Sequence, residues 1–598
     1  MSLSRRQVLQ FGAAAMALPR IRASAAEPAG LLQQFGYDEV RLNGGPAGAQ
    51  FQHHHELLLN LSEDSLLRPF RVREGLPAPG HEMGGWYSTW EFAPCHCFGQ
   101  WVSTLARCYA ATGNQASRAK VGRLVRGYAA TIDPAGKFFV DNRFPAYVYD
   151  KLVIGLLDAH SLAGDPDALK TLARVTDVVQ PFLPPKAQPH QETPLVDHED
   201  YTRHCWDESY TMPENQFLAW RRTGDDRYLA LAKRFLFDEY FDPLARGENS
   251  LPGRHAYSHV NALSSAAQAY LSLGDEKYLR TIRNAFGFIE AQSFVTGGWG
   301  PDEHFVPPDG DGLLDSLTKT HASFETPCGS YAHFKLSRYL LRITRDPHYG
   351  DSMERVFYNA VLGAKPLEPD GHAFYYSDYN FEGRKVFFGD KWPCCAGTLP
   401  QIASDYGISA YLRDGGNVYV NLFVPSTVTW QEGGRRFSLR QTTEYPHDTR
   451  IRVEITASRP ATFSVLLRIP AWTKDARLSV SGSRGWQPAQ AGAFAELRRE
   501  WKTGDTIELE LPMATRLEPL DRRHPDVVGL LSGPLVLFPL ARPAGAPTVP
   551  RKSLLAAVRA PGSAREWRVE TGGLPLRLKS FLDIADENYT TYVRTGEG

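Results

Sequence analysis

One turn pattern returns along the first two thirds of the chain and restricts the fold more than any other feature. Tyr109-Ala110-Ala111-Thr112-Gly113-Asn114, Trp220-Arg221-Arg222-Thr223-Gly224-Asp225-Asp226-Arg227-Tyr228 and Tyr270-Leu271-Ser272-Leu273-Gly274-Asp275-Glu276-Lys277-Tyr278 follow one scheme. An aromatic residue lies on a closing helix, a glycine suits the left-handed stop, and Asn or Asp caps the next helix. Ala163-Gly164-Asp165-Pro166 and Thr344-Arg345-Asp346-Pro347-His348-Tyr349 are looser copies. Recurrence every roughly fifty to seventy residues is one helical hairpin per repeat, the signature of a helical array. Five or six hairpins would close an (α/α)6 toroid. An open solenoid has the same spacing, but long Gly/Pro-rich loops such as Val295 to Asp315 suit a closed barrel with a pocket at one end.

The period changes near Gly415. Asn417 to Val424, Arg450 to Ile455, Phe463 to Ile469 and Asp505 to Leu511 alternate or run apolar between turn residues, which predicts strands. The expected organisation is multidomain: an (α/α)6 catalytic barrel over 26–412, a β-sandwich over 413–515 and a smaller C-terminal β unit over 516–598.

Residues 1–25 read as a leader rather than as fold. Ser4-Arg5-Arg6-Gln7-Val8-Leu9-Gln10 is a twin-arginine pattern, Phe11 to Leu18 is apolar, and Ala23-Ser24-Ala25 offers a cleavage site. Twin-arginine export implies a periplasmic or secreted protein that crosses already folded, so a metal site can be loaded beforehand. No segment is long and apolar enough to predict a membrane span. Lys+Arg 66 against Asp+Glu 67 leaves no electrostatic footprint for nucleic acid. The expected partner is a plant or microbial glycan; the 12 Trp, 26 Tyr and 31 Phe are mainly core, with some ring faces available to sugars. A homodimer is left open.

Chemistry concentrates at Lys391-Trp392-Pro393-Cys394-Cys395-Ala396-Gly397-Thr398. Neighbouring cysteines close a disulfide with each other only under strain, and seven cysteines are an odd number for an exported chain. Upstream, Glu325-Thr326-Pro327-Cys328 could add a carboxylate and a third thiolate, a donor set suited to tetrahedral zinc; three buried, inert cysteines are the competing reading. Glu303, in the loop Gly297-Gly298-Trp299-Gly300-Pro301-Asp302-Glu303-His304-Phe305, is a candidate general acid or else a solvated charge. His255 and Glu214 open helices near the supposed pocket and could touch a sugar or simply cap. His53-His54-His55 reads as a solvated segment, and Cys95-His96-Cys97 is too tight for a zinc finger.

These motifs, with Lys335-Leu336, Glu354-Arg355-Val356-Phe357-Tyr358-Asn359 and Tyr419 to Ser426, resemble the β-L-arabinofuranosidases of glycoside hydrolase families 127 and 146 over most of the mature chain. The resemblance implies an (α/α)6 barrel with β-sandwiches after it, and a retaining hydrolase with a zinc-bound cysteine nucleophile. By position, Cys394 is the nucleophile, Glu303 the acid/base, and Glu325, Cys328, Cys394 and Cys395 the zinc ligands. Two residues separate Glu325 from Cys328 where the family pattern has one. Among the expected sugar-binding residues His96, His255, Asp150, Gln100 and Glu214, the two histidines match the family, whereas Asp150 and Gln100 stand where relatives carry histidine. Two other classes are retained as alternatives: a polysaccharide lyase on the same barrel, and a non-catalytic, zinc-stabilised carbohydrate-binding protein.

Overall fold

The computed structural model describes residues 30–189, 207–308, 310–540, 548–571 and 574–596. The twin-arginine leader and Cys205 lie outside the described residues. Twelve helices build the barrel: α1 (Gly45–Asn60), α2 (Phe98–Thr112), α3 (Gln115–Ala129), α4 (Pro145–Ser161), α5 (Ala168–Val179), α6 (Pro213–Thr223), α7 (Asp226–Phe235), α8 (Ala256–Leu273), α9 (Glu276–Glu290), α10 (Thr326–Thr344), α11 (His348–Asn359) and α12 (Cys395–Ala410). The even-numbered helices form an inner ring in which each packs on the next and α12 closes onto α2; the odd-numbered ones pack around it.

Residue type decides which helix goes inside. Outer helix α9 buries Tyr278, Thr281, Ile282, Ala285, Phe286 and Ile289, one stripe at helical spacing. Inner helix α8 is Ala- and Ser-rich and buries nearly every residue from Ala256 to Ala269. Small side chains let ring neighbours approach closely: a Cβ on Gly99 of α2 would meet the Lys151 carbonyl of α4 at 1.9 Å.

The recurring turns do what their residues predict. Gly113, Gly224 and Gly274 are left-handed at φ of 73°, 73° and 72°. The side chains of Asn114, Asp225 and Asp275 accept hydrogen bonds from the backbone N–H groups of the following helix. These tight turns run from the C-terminal end of an inner helix to an outer one, so the longer loops collect at the opposite end. There the N-termini of all six inner helices converge.

Beyond Ala410 the chain is β. One sheet has the order Gln33–Gln34, Tyr411–Asp414, Asn417–Val420, Ala461–Ile469, Ala493–Trp501. A seven-stranded sheet faces it, with Arg450–Ala457 and Arg435–Thr443 near its centre and Val40–Leu42 at one edge. The segment ahead of α1 therefore supplies strands to both sheets, a feature the helical reading of that stretch did not predict. A third sheet, built around Val527–Ser532 and Leu535–Pro539, forms the C-terminal unit.

The Glu354-Arg355 motif ties the three parts together. Glu354 on α11 takes the guanidinium of Arg468 at 2.7 Å, the Tyr445 hydroxyl at 2.8 Å and the Trp472 indole N–H at 3.1 Å, all from the sandwich. Arg468 is fully buried and also pairs with Asp351. Arg355 forms a two-pronged pair with Glu518 of the C-terminal sheet. Glu354→Ala leaves the buried Arg468 with Asp351 alone and strands the Tyr445 hydroxyl and the Trp472 indole N–H, so it is expected to cost about 3–5 kcal/mol in thermal or denaturant unfolding; a loss within ~0.5 kcal/mol would show that the clamp is not stabilising.

Candidate active site

The convergent N-terminal ends of the inner helices carry the chemistry. Cys394 is the N-cap of α12, Cys395 its first residue, and Cys328 lies in the first turn of α10. Two helix N-termini thus face the sulfurs and favour negative charge there. Glu325 is brought in by a short antiparallel pair, Phe324–Glu325 with Tyr376–Ser377, which the Thr326 N–H closes on the Tyr375 carbonyl at 2.7 Å.

Glu325, Cys328, Cys394 and Cys395 are buried, with ligand atoms all within 4.8 Å of one another. The Cys328 sulfur stands 3.3 Å from that of Cys394 and 3.5 Å from that of Cys395. Glu325 Oε1 lies 3.2 Å from Cys394 Sγ and 4.0 Å from Cys395 Sγ. Sulfurs around a tetrahedral zinc at about 2.3 Å each would stand about 3.8 Å apart, so the cluster fits such an ion with little adjustment. Glu325 Oε2 is buried with no hydrogen-bond partner among the described residues, as expected of a carboxylate placed for a metal. The extra residue between Glu325 and Cys328 is absorbed where strand passes into helix, and the carboxylate still reaches the sulfurs.

The three thiols are not equivalent. Burial pushes Cys328 and Cys395 well above the usual thiol range. Cys394 is also raised by burial, but hydrogen bonds from the Cys328 and Cys395 thiols and from the Tyr375 hydroxyl outweigh this and bring it well below that range. Cys394 is thus the sulfur that its neighbours stabilise as thiolate.

Glu303 faces the same cluster from its loop. Its Oε2 is 3.2 Å from His255 Nε2, and the Tyr376 hydroxyl donates to Oε1. Burial would raise its carboxyl, but hydrogen bonding to His255, the His255 charge and the Tyr376 and Tyr375 hydroxyls together hold it down at about 2. Tyr375 therefore touches both sides, its hydroxyl 3.5 Å from Cys394 Sγ. Among the described residues six non-glycine residues adopt positive φ, and four flank this site: Cys95, Asp302, Glu303 and Trp392. Each costs on the order of 1–3 kcal/mol and is held by its surroundings. Trp392, for example, donates its indole N–H to the Met83 carbonyl and packs on Gly371, where a Cβ would meet the ring at 2.4 Å.

The remaining expected residues occupy different shells of the same end. His96 is buried, with Nδ1 on the Ala93 carbonyl at 2.6 Å. His255 caps α8 and reaches Glu303. Asp150 is buried, bonded to Asn215 at 2.7 Å and to Lys151 at 3.2 Å. Gln100 is fully buried and donates to Gln401, with its other amide atom against Gly397. Glu214 pairs with Lys335 and accepts from Tyr339, inside the ring.

Tyr375, Tyr376, Lys151, Tyr147 and Glu208 were not singled out in the sequence, where each reads as an ordinary core or loop residue. Glu208 precedes α6, and burial raises its carboxyl to about 7 against the opposing influence of His255 and Lys151. A carboxyl raised in the folded state binds its proton more tightly there, so stability falls as pH rises from about 4.5 to about 7. Glu208→Gln is expected to remove a penalty of a few kcal/mol above that window and to change little below it. Melting temperatures at pH 4 and pH 8 check this; an equal shift at both would refute it.

The profile for the GH127 β-L-arabinofuranosidase catalytic domain matches residues 39–407, and that for the GH127 middle domain matches residues 417–513. No curated protein matches the chain. Among solved structures, the GH127 β-arabinofuranosidase BT3674 is 16% identical with a TM-score of 0.73, the match covering 94% of this chain and 98% of that one. Ara127N-Se, a GH127 β-L-arabinofuranosidase from Geobacillus stearothermophilus T6, is 16% identical with a TM-score of 0.69, over 93% of this chain and 100% of its own. At such identities the structural likeness speaks for the fold, and the two profiles, which span the barrel and the sandwich, speak for the family. The chain belongs to the GH127 β-L-arabinofuranosidase family of glycoside hydrolases.

Proposed function

We propose that the protein is an exported retaining glycosidase acting on β-L-arabinofuranosides or closely related glycans, with Cys394 as nucleophile and Glu303 as acid/base. The observation that carries this reading is the pairing, across one pocket, of a single stabilised thiolate with a carboxylate that Tyr375 links to it.

Cys394 attacks the anomeric carbon and forms a glycosyl thioether as the glycosidic bond breaks. The departing oxygen takes a proton from the Glu303 carboxyl, which His255 Nε2 and the Tyr376 hydroxyl hold in place. In the second step Glu303 takes a proton from water, which displaces the thiolate and restores the original anomeric configuration. Splitting one difficult displacement into two easier ones is the gain of covalent catalysis. The donors Glu325, Cys328, Cys394 and Cys395 fit zinc, which when bound would keep the thiolates deprotonated and oriented.

Family membership sets hydrolysis ahead of both the lyase and the binding-only alternatives. Export through the twin-arginine route belongs to the same proposal and rests on Arg5-Arg6 and the apolar run after them. Among the described residues no helix is long and apolar enough to cross a membrane.

The test is release of aglycone from a panel of aryl glycosides, headed by the β-L-arabinofuranoside, with proton NMR of the first-formed anomer. Hydrolysis with retention supports the reading; inversion, or an unsaturated product, overturns it. For the metal, the purified protein is expected to hold about one zinc per chain, and Cys328→Ala is expected to lose that zinc and to melt at lower temperature. Metal content and melting temperature equal to wild type would remove Cys328 from the ligand set.

A further inference from the structure

Lys151 stands in the first turns of α4 with its side chain 4% exposed. An ammonium has three N–H donors. The described residues supply one acceptor, Asp150 Oδ2 at 3.2 Å, and the face of Tyr147, whose ring centroid is 4.3 Å away. The other Asp150 oxygen is held by Asn215, so the carboxylate cannot swing to serve Lys151 further. Beside it the Tyr147 hydroxyl is buried with no hydrogen-bond partner among the described residues, and the Tyr147 and His96 rings stack at 6.4 Å and 23°. Trp86 packs against both His96 and Tyr375, with ring centroids 6.3 Å from each, and the Tyr375 hydroxyl is 3.5 Å from Cys394 Sγ, which ties these rings to the nucleophile's surroundings.

Unpartnered polar atoms in a buried wall are costly unless something binds there. The wall mixes donors with groups able to accept, and hydroxyl groups satisfy both. A sugar carboxylate satisfies only the donors, and it would meet Glu303 and the thiolate cluster across the pocket. We propose that Lys151, together with Tyr147 and His96, reads the hydroxyl groups of an uncharged glycone, with Lys151 as the specificity-determining residue. This rests on the hydrolase reading for the presence of a glycone; His96 is already expected there from the sequence, and Lys151 and Tyr147 are the residues the proposal adds.

Binding of methyl thioglycosides, which resist hydrolysis, tests it without relying on turnover. Full-length protein is titrated with the thioglycosides of L-arabinofuranose, L-arabinopyranose, D-galactofuranose and D-xylopyranose, and then with monodeoxy forms of the tightest binder. In wild type, removing the hydroxyl that Lys151 contacts is expected to weaken binding about 10–100-fold. Lys151→Met should bind the parent sugar about 10–100-fold more weakly and lose less than ~3-fold further on that deoxy form, because the contact is already gone. Tyr147→Phe removes a single oxygen and guards against a misfolded Lys151→Met; it should weaken the parent about 3–10-fold. Equal weakening of every deoxy form by Lys151→Met, unchanged binding, or no binding by wild type would each overturn the proposal. Aryl glycoside hydrolysis measured on the same samples reports on the hydrolase reading separately: thioglycosides bound while no aryl glycoside is hydrolysed would end that reading and leave the wall standing.

Discussion

Cys394→Ser is expected to lower kcat by about 10^4-fold or more while the protein stays folded. The hydroxyl is nearly isosteric but is a weak nucleophile, and it lacks the low proton affinity that neighbouring donors confer on the Cys394 sulfur. Those donors, Cys328 at 3.3 Å and the Tyr375 hydroxyl at 3.5 Å, have no thiolate to stabilise once sulfur is replaced. The expected signature is loss of kcat with the circular dichroism spectrum and glycoside affinity kept. Retention of more than ~1% of wild-type kcat would exclude Cys394 as nucleophile and return the cluster to a structural role.

Glu303→Gln is expected to reduce kcat/KM on ordinary glycosides by about 10^2–10^4-fold. The amide keeps shape and the hydrogen bond from Tyr376, but it has no acidic proton to give the departing oxygen and cannot take one from water. The discriminating readout is the leaving group. With dinitrophenyl glycosides, whose aglycone departs unprotonated, the first step should run near the wild-type rate; the second step should then be slow, because no base activates water. A burst of one aglycone per chain is therefore expected, and azide should accelerate the slow turnover after the burst. A loss independent of the leaving group would make Glu303 a positioning residue rather than the acid/base.

Legibility of this protein tracks the range of the physics involved. The Gly-Asp turns could be read because a left-handed residue and a side-chain cap are satisfied within four or five residues. The stripe of α9 likewise needs only its own spacing. Cysteines 394 and 395 invited a metal by adjacency, Cys328 and Glu325 offered further donors of the right type, and the family resemblance implied that the four act as one ligand set. The strands Gln33–Gln34 and Val40–Leu42 escaped notice because each is two or three residues long and owes its conformation to partners such as Tyr411–Asp414 and Ser426–Glu432.

By itself the sequence determined the alternation of helical hairpins and strands, the donor types of the candidate metal site and the aromatic, nearly neutral character of the chain, because all of these are properties of residue type and local order. Only the tertiary structure decided which polar residues face one another. Closing the ring brought Cys328 within 3.3 Å of a sulfur 66 positions later, set Tyr375 between Glu303 and Cys394, buried Lys151 against Asp150 and the face of Tyr147 and committed Gln100 and Glu214 to internal partners. The reason is geometric: convergence of six helix ends depends on how whole helices pack, and no window of sequence contains it.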